Sequence, residues 1–207
     1  GETRLSYADL RADALRICGA LQARGLQPGD KVVLLISSSR EILAGFWGCI
    51  LGGMIPAISA LPADFSGASR AIDQLAHLFK LLESPFAVTS RAQIENLLAA
   101  AGRLALDASR IAAVEDLLAT APSGSCHRAD PDDIAFFTLT SGSTGIPKCI
   151  MLTHRNLRAR ARGTNVLCGH DRTDVILNWL PFDHIGSISD WHVRCVELAC
   201  HCVYTSK

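Results

Sequence analysis

The stretch Thr138-Leu139-Thr140-Ser141-Gly142-Ser143-Thr144-Gly145-Ile146-Pro147-Lys148 concentrates the residue types that grip phosphate. From Thr140 to Gly145, four hydroxyl side chains and two glycines fill six consecutive positions. Glycine lets backbone N–H groups approach a ligand with no Cβ in the way. Successive N–H groups and hydroxyls can then wrap anionic oxygens in a nest. Lys148 adds a mobile positive charge that reaches the same oxygens, and Pro147 stiffens the exit from the loop. The spacing is not that of a P-loop, because Lys148 lies three residues after Gly145 and Cys149 follows it. The dinucleotide fingerprint Gly-x-Gly-x-x-Gly is also missing. A bare Ser/Gly loop reads equally well as a flexible surface turn. The apolar run Ile134–Leu139 in front and Pro147-Lys148 behind favour the binding reading.

Other clusters carry less. Cys168, His170, His184, His192, Cys195, Cys200, His201 and Cys202 crowd the end of the chain. They contain no Cys-x-x-Cys pair and match no familiar zinc spacing. On a strand, Cys200 and Cys202 would face one side and His201 the other, so the cysteines read as small buried hydrophobes. Arg155, Arg158 and Arg162 share one face of a helix and read, with Arg160, as a solvated surface. His77 and His154 read as packing or capping residues. No Gly-x-Ser-x-Gly elbow is present, so a Ser-His-Asp hydrolase is not expected.

The elements that must position these residues alternate between helix and strand. Ser6 suits an N-cap before a helix carrying Leu10, Ala14, Ile17 and Leu21 on one face. Lys31–Ile36 has no alternation, as in a strand buried on both faces. Ile42–Pro62 is uncharged and long enough to cross a bilayer. Gly52-Gly53 and Pro56 break it, however, into a helix over 40–51, with Gly45, Gly48 and Gly52 on one face for close packing, and a strand over 54–59. Helices are expected over 70–82, 92–101, 111–120, 154–167 and 189–199. Strands are expected over 86–88, 104–106, 134–139, 149–152, 174–180 and 200–204. The pattern predicts an α/β fold, a layered and mostly parallel sheet with flanking helices. Residues 1–121 form a first α/β lobe, 122–133 a linker, and 134–207 the phosphate loop and the start of a further, incomplete lobe.

Composition narrows the function. The 207 residues carry 20 basic and 20 acidic side chains and are 49% hydrophobic. That excludes a disordered tail and argues against a nucleic-acid binder or a polybasic membrane-surface protein. No signal peptide opens the chain at Gly1–Arg11, and Gly1 in place of Met reads as a processed or excised start. The eight cysteines are expected to be reduced thiols in a cytoplasmic protein.

The segment Leu139–Lys148 resembles the signature loop of the adenylate-forming, AMP-binding enzymes, which include acyl-CoA synthetases, fatty acyl-AMP ligases and nonribosomal peptide synthetase adenylation domains. Leu5-Ser6-Tyr7-Ala8-Asp9-Leu10, Gly48–Ala57, Leu152-Thr153-His154-Arg155-Asn156-Leu157 and Leu180-Pro181-Phe182-Asp183-His184-Ile185-Gly186 resemble further motifs of that family, in order. Gln74–Ser90 looks most like the fatty acyl-AMP ligase branch, within it the acyl-activating domains of hybrid peptide–polyketide synthetases of the mycosubtilin type.

The resemblance implies a ligase that activates a carboxylic acid, expected to be a fatty acid, with ATP and Mg²⁺ to acyl-AMP and pyrophosphate. The acyl group then passes to the thiol of CoA or of a carrier protein's phosphopantetheine. It implies that Thr140, Ser141, Gly142, Ser143, Thr144, Gly145 and Lys148 hold the phosphates, with Thr144 in the metal's shell. It places His184 at the reacting carboxylate, with Asp183 and Trp179 as neighbours. The family usually has glycine where this chain has Cys149, a mild change. Family members need roughly twice this length, counted over several domains. The chain therefore reads as the N-terminal part of such an enzyme, inactive alone. The alternatives are a non-catalytic nucleotide- or acyl-binding remnant and an amino-acid-activating domain.

Overall fold

The computed structural model describes residues 3–62, 64–65, 69–140 and 148–205. Helix α1 (Tyr7–Ala23) begins with a capping box, in which the Ser6 hydroxyl accepts from the Asp9 N–H while the Asp9 carboxylate accepts from the Ser6 N–H. After it come β1 (Lys31–Leu35), α2 (Ser39–Gly52), β2 (Ile55–Ile58), α3 (Arg70–Leu82), β3 (Phe86–Thr89), α4 (Ile94–Ala100), β4 (Ile111–Ala113) and α5 (Val114–Leu118). The hairpin strands β5 (Ile134–Thr140) and β6 (Lys148–Thr153) follow, then α6 (His154–Cys168), β7 (Val175–Asn178), α7 (Val193–Leu198) and β8 (His201–Tyr204).

Six strands form one sheet in the order β4-β3-β1-β2-β5-β6. All neighbours run parallel except β5 and β6. Strands β7 and β8 pair in parallel as a separate sheet. The unalternating apolar run of β1 has a direct cause. Val32 and Leu34 enter a core with α1 and α2, whereas Val33 and Leu35 enter a second core with α3 and α4. Helices α1 and α2 approach so closely that a Cβ on Gly48 would lie 2.7 Å from Ile17 Cγ2. Gly53 ends α2 in the left-handed conformation at φ +74°. The 42–62 stretch thus folds as a helix, a turn and a buried strand, and among the described residues no helix is long and apolar enough to span a membrane.

The segment 122–133 is tied down by the Ser123 N–H to Leu15 O (2.8 Å) and the His127 N–H to Leu51 O (2.8 Å). Two expected elements differ. Residues 104–106 are a turn, with Ala105 at φ +52° and Leu104 and Leu106 dropped into the core beside α3. A left-handed residue at the centre is incompatible with a strand. Ile111–Ala113, expected as the start of a helix, is strand β4 instead, because β3 offers it an edge to pair with. A short apolar run does not separate the two cases by periodicity alone.

Candidate active site

Strands β5 and β6, paired antiparallel, lie in sequence on either side of the stretch expected to hold phosphate. Their last pair is Thr140 with Lys148, and the Thr140 hydroxyl donates to Lys148 O at 3.5 Å. Ser141, Gly142, Ser143, Thr144 and Gly145 lie outside the described residues. Cys149 sits opposite Leu139, half-buried against the second core, and burial raises its thiol pKa. The strand therefore accommodates the Cys149 side chain. Thr153 ends β6 and caps α6 in a reciprocal box with Asn156. Arg155 pairs with Asp132 through bonds of 2.6 and 2.9 Å, and Arg160 pairs with Asp190. The arginine face is thus exposed and partly ion-paired. Among the described residues no group of three or more His, Cys, Asp and Glu could hold a metal. Cys200 is buried and Cys202 half-buried, while His201 between them is exposed.

His184 lies on the loop from β7 to the next helix, with Asp183 beside it and Trp179 at the loop's start, all three exposed. The loop is bonded from below. Asn178, 2% exposed, donates to Ser187 O (3.0 Å) and accepts from the Leu180 N–H (3.3 Å). The Ser187 hydroxyl reaches Leu180 O at 3.3 Å. The His184 N–H bonds Pro181 O, and His184 O accepts from the Ser187 N–H at 2.9 Å. The Gly186 N–H donates to His184 Nδ1 at 3.1 Å, so the neutral imidazole carries its proton on Nε2. Gly186 sits in tight quarters: a Cβ there would meet Leu180 Cδ1 at 3.1 Å and His184 Nδ1 at 3.2 Å, so those side chains would have to shift by a few tenths of an ångström.

The helix expected over 189–199 opens as a π-helical stretch, Ser187–His192, before α7. Such π turns are rare and recur at functional sites. This one carries His192 inward, at 2% exposure. Its Nε2 accepts from the Trp47 indole N–H at 2.7 Å, and its Nδ1 meets the Tyr204 hydroxyl. Burial pushes the His192 pKa down to about 3. The Tyr204 ring stacks on Phe182, centroids 5.6 Å apart. Nothing local in the sequence foreshadows this network, since Trp47 and His192 are 145 residues apart.

The AMP-binding enzyme model matches residues 1–207. The chain belongs to the AMP-binding enzyme family. It is 32% identical to the microperfuranone synthase of Emericella nidulans over 99% of this chain and 22% of that protein. It is 29% identical to a nonribosomal peptide synthetase of Ascocoryne sarcoides over 94% of this chain and 21% of that one. The chain thus spans about a fifth of the length of these curated relatives.

Among solved structures, this AMP-binding chain is similar to the adenylation domain of a keto acid-selecting NRPS module bound to keto acyl adenylate. The TM-score is 0.92 at 37% identity, over 99% of this chain and 38% of that one. It is also similar to McyG A-PCP complexed with phenylalanyl-adenylate, at TM-score 0.92 and 32% identity, over 99% of this chain and 37% of that one. A fatty acyl-adenylate ligase from L. pneumophila shares the fold at TM-score 0.83 and 23% identity, over 100% of this chain and 35% of that one. The mostly parallel six-stranded sheet with flanking helices is that of the N-terminal part of an adenylation domain.

Proposed function

We propose that the protein containing this chain activates a carboxylic acid with ATP, forming acyl-AMP and pyrophosphate, and passes the acyl group to a phosphopantetheine thiol on a carrier protein. The observation that carries this reading is the family match over residues 1–207, with the hydroxyl- and glycine-rich stretch lying in sequence between β5 and β6. A carboxylate oxygen attacks the α-phosphorus, and the bond to the bridging oxygen breaks with its electron pair leaving on pyrophosphate. In this reading Thr140, Ser141, Gly142, Ser143, Thr144, Gly145 and Lys148 wrap the β- and γ-phosphates, so catalysis is chiefly positioning and charge neutralisation. The hydroxyl of Thr144 is a hard oxygen donor of the kind Mg²⁺ takes, and the ion when bound would neutralise phosphate charge. His184 offers its Nε2–H to the acid's carboxylate, with Asp183 and Trp179 flanking it.

The 37% identity to a keto acid-selecting module favours a 2-oxo acid over the fatty acid expected from sequence. The McyG A-PCP neighbour supports a carrier protein over CoA as acceptor. Residues 1–121 and 134–207 act in this scheme as successive portions of one enzyme, joined through 122–133 in the cytoplasm. The test is carboxylate-dependent exchange of pyrophosphate into ATP by the full-length protein, across 2-oxo, α-amino and fatty acids. Exchange is expected with a 2-oxo acid, and Lys148→Ala should lower kcat/KM by about 10-fold or more through lost phosphate contacts. Absence of exchange with every acid overturns the reading.

A further inference from the structure

We propose that the hydrogen-bond relay Trp47–His192–Tyr204, centred on a buried imidazole, is a positioning device that holds the Phe182–His184 segment at the acid site. Its kinetic consequence rests on the adenylation reading above, whereas its structural consequence does not.

Among the described residues, exposed His184 bonds only to near neighbours in sequence: its backbone to Pro181 and Ser187, and its Nδ1 to the Gly186 N–H. In its segment, Phe182 is the residue that reaches the main core, half-buried and stacked on Tyr204 at an interplanar angle of 28°. Tyr204 closes β8, a strand of the small two-stranded sheet. Its ring is tied through its hydroxyl to His192, and through His192 to Trp47 of α2. Trp47 is itself fixed edge-on against Phe46, centroids 5.3 Å apart, in the packed core.

The relay has one direction. The indole N–H can only donate, so His192 Nε2 accepts, and the ring's proton sits on Nδ1, facing the Tyr204 oxygen. The Tyr204 oxygen thus accepts from the His192 Nδ1–H. Both bonds thus have a fixed polarity and meet at the buried imidazole, where an unmade bond is expensive. His192 is buried away from the loop's exposed His184 and has both ring nitrogens engaged, so it acts through Tyr204 and Phe182 and is not itself a catalytic residue.

The test uses the full-length protein with four variants. His192→Phe fills the space and removes both bonds. His192→Gln offers an acceptor to Trp47 and a donor to Tyr204. Trp47→Phe and Tyr204→Phe each delete one bond, the latter keeping the ring stack on Phe182. Amide hydrogen exchange read by peptide mass should accelerate about 10-fold over 180–187 in His192→Phe, with β1 and β3 unchanged, and return near wild type in His192→Gln. In pyrophosphate exchange, His192→Phe should raise KM for the acid about 5-fold while leaving KM for ATP within about 2-fold, and Gln should restore it.

Unchanged amide exchange over 180–187, a Gln variant no better than Phe, or equal effects on acid and ATP would each overturn the proposal. Should His192→Phe fail to fold, Tyr204→Phe gives the same comparison from loss of a single hydroxyl. If the wild type supports exchange with no acid, the catalytic reading falls, and the amide-exchange comparison still decides the positioning role.

Discussion

Buried neutral His192 makes the stability of this domain depend on pH in a calculable way. Its ordinary pKa is 6.5, and burial without a carboxylate partner holds it near 3 in the folded protein. Below pH 6.5 the unfolded chain takes up a proton that the folded chain refuses, so acid favours unfolding. The contribution is intact above pH 6.5 and is lost progressively as pH falls toward 3. Each step of one pH below 6.5 removes about 1.4 kcal/mol, so by pH 5 the loss is about 2 kcal/mol. That is a sizeable share of a typical domain stability of about 5–15 kcal/mol. Other groups act in the same range or below it. His154 is also lowered by burial, while Asp9, Asp107 and Asp171 are held low by hydrogen bonds and matter only in stronger acid. They are common to wild type and His192→Gln, so the difference between the two isolates His192. Urea unfolding followed by tryptophan fluorescence should show wild type losing about 2 kcal/mol more than His192→Gln between pH 8 and pH 5. Parallel losses in the two proteins would refute the reasoning, because the ring would then be able to protonate in place.

Three further substitutions probe the site and its supports. Gly186→Ala puts a methyl 3.2 Å from His184 Nδ1 at a helical φ that alanine tolerates; pyrophosphate exchange should show kcat/KM for the acid falling about 5-fold with KM for ATP unchanged. Gly48→Ala drives a methyl into Ile17 and to 3.0 Å from Ala14 O, and the overpacking should cost about 1–3 kcal/mol in denaturant melts. Ala199 closes α7 in the left-handed conformation at φ +54°, so Ala199→Gly should raise stability by about 0.5–1 kcal/mol, the relieved strain less glycine's entropy.

How far the chain could be read without coordinates follows from where each piece of information lies. The strands flanking the stretch 141–147 were legible because each is a contiguous apolar run, and the antiparallel β5–β6 register then sets Thr140 opposite Lys148. The same locality made α1 legible: Ser6 and Asp9 lie three residues apart and cap each other. Residues 104–113 failed for the opposite reason. Whether Ile111–Ala113 pairs as a strand depends on the free edge of β3, 24 residues earlier in the register, and the local apolar pattern is silent about edges. His192 is the extreme case. In sequence it stood in a cluster of cysteines and histidines that matched no metal spacing, and its partners are Tyr204, twelve residues on, and Trp47, 145 residues earlier. A motif can single out a candidate side chain such as His184, because it lies within one short loop. What holds the loop still is made by tertiary packing, and it becomes visible only when α2, the π-helical turn and β8 are seen to converge on one buried imidazole.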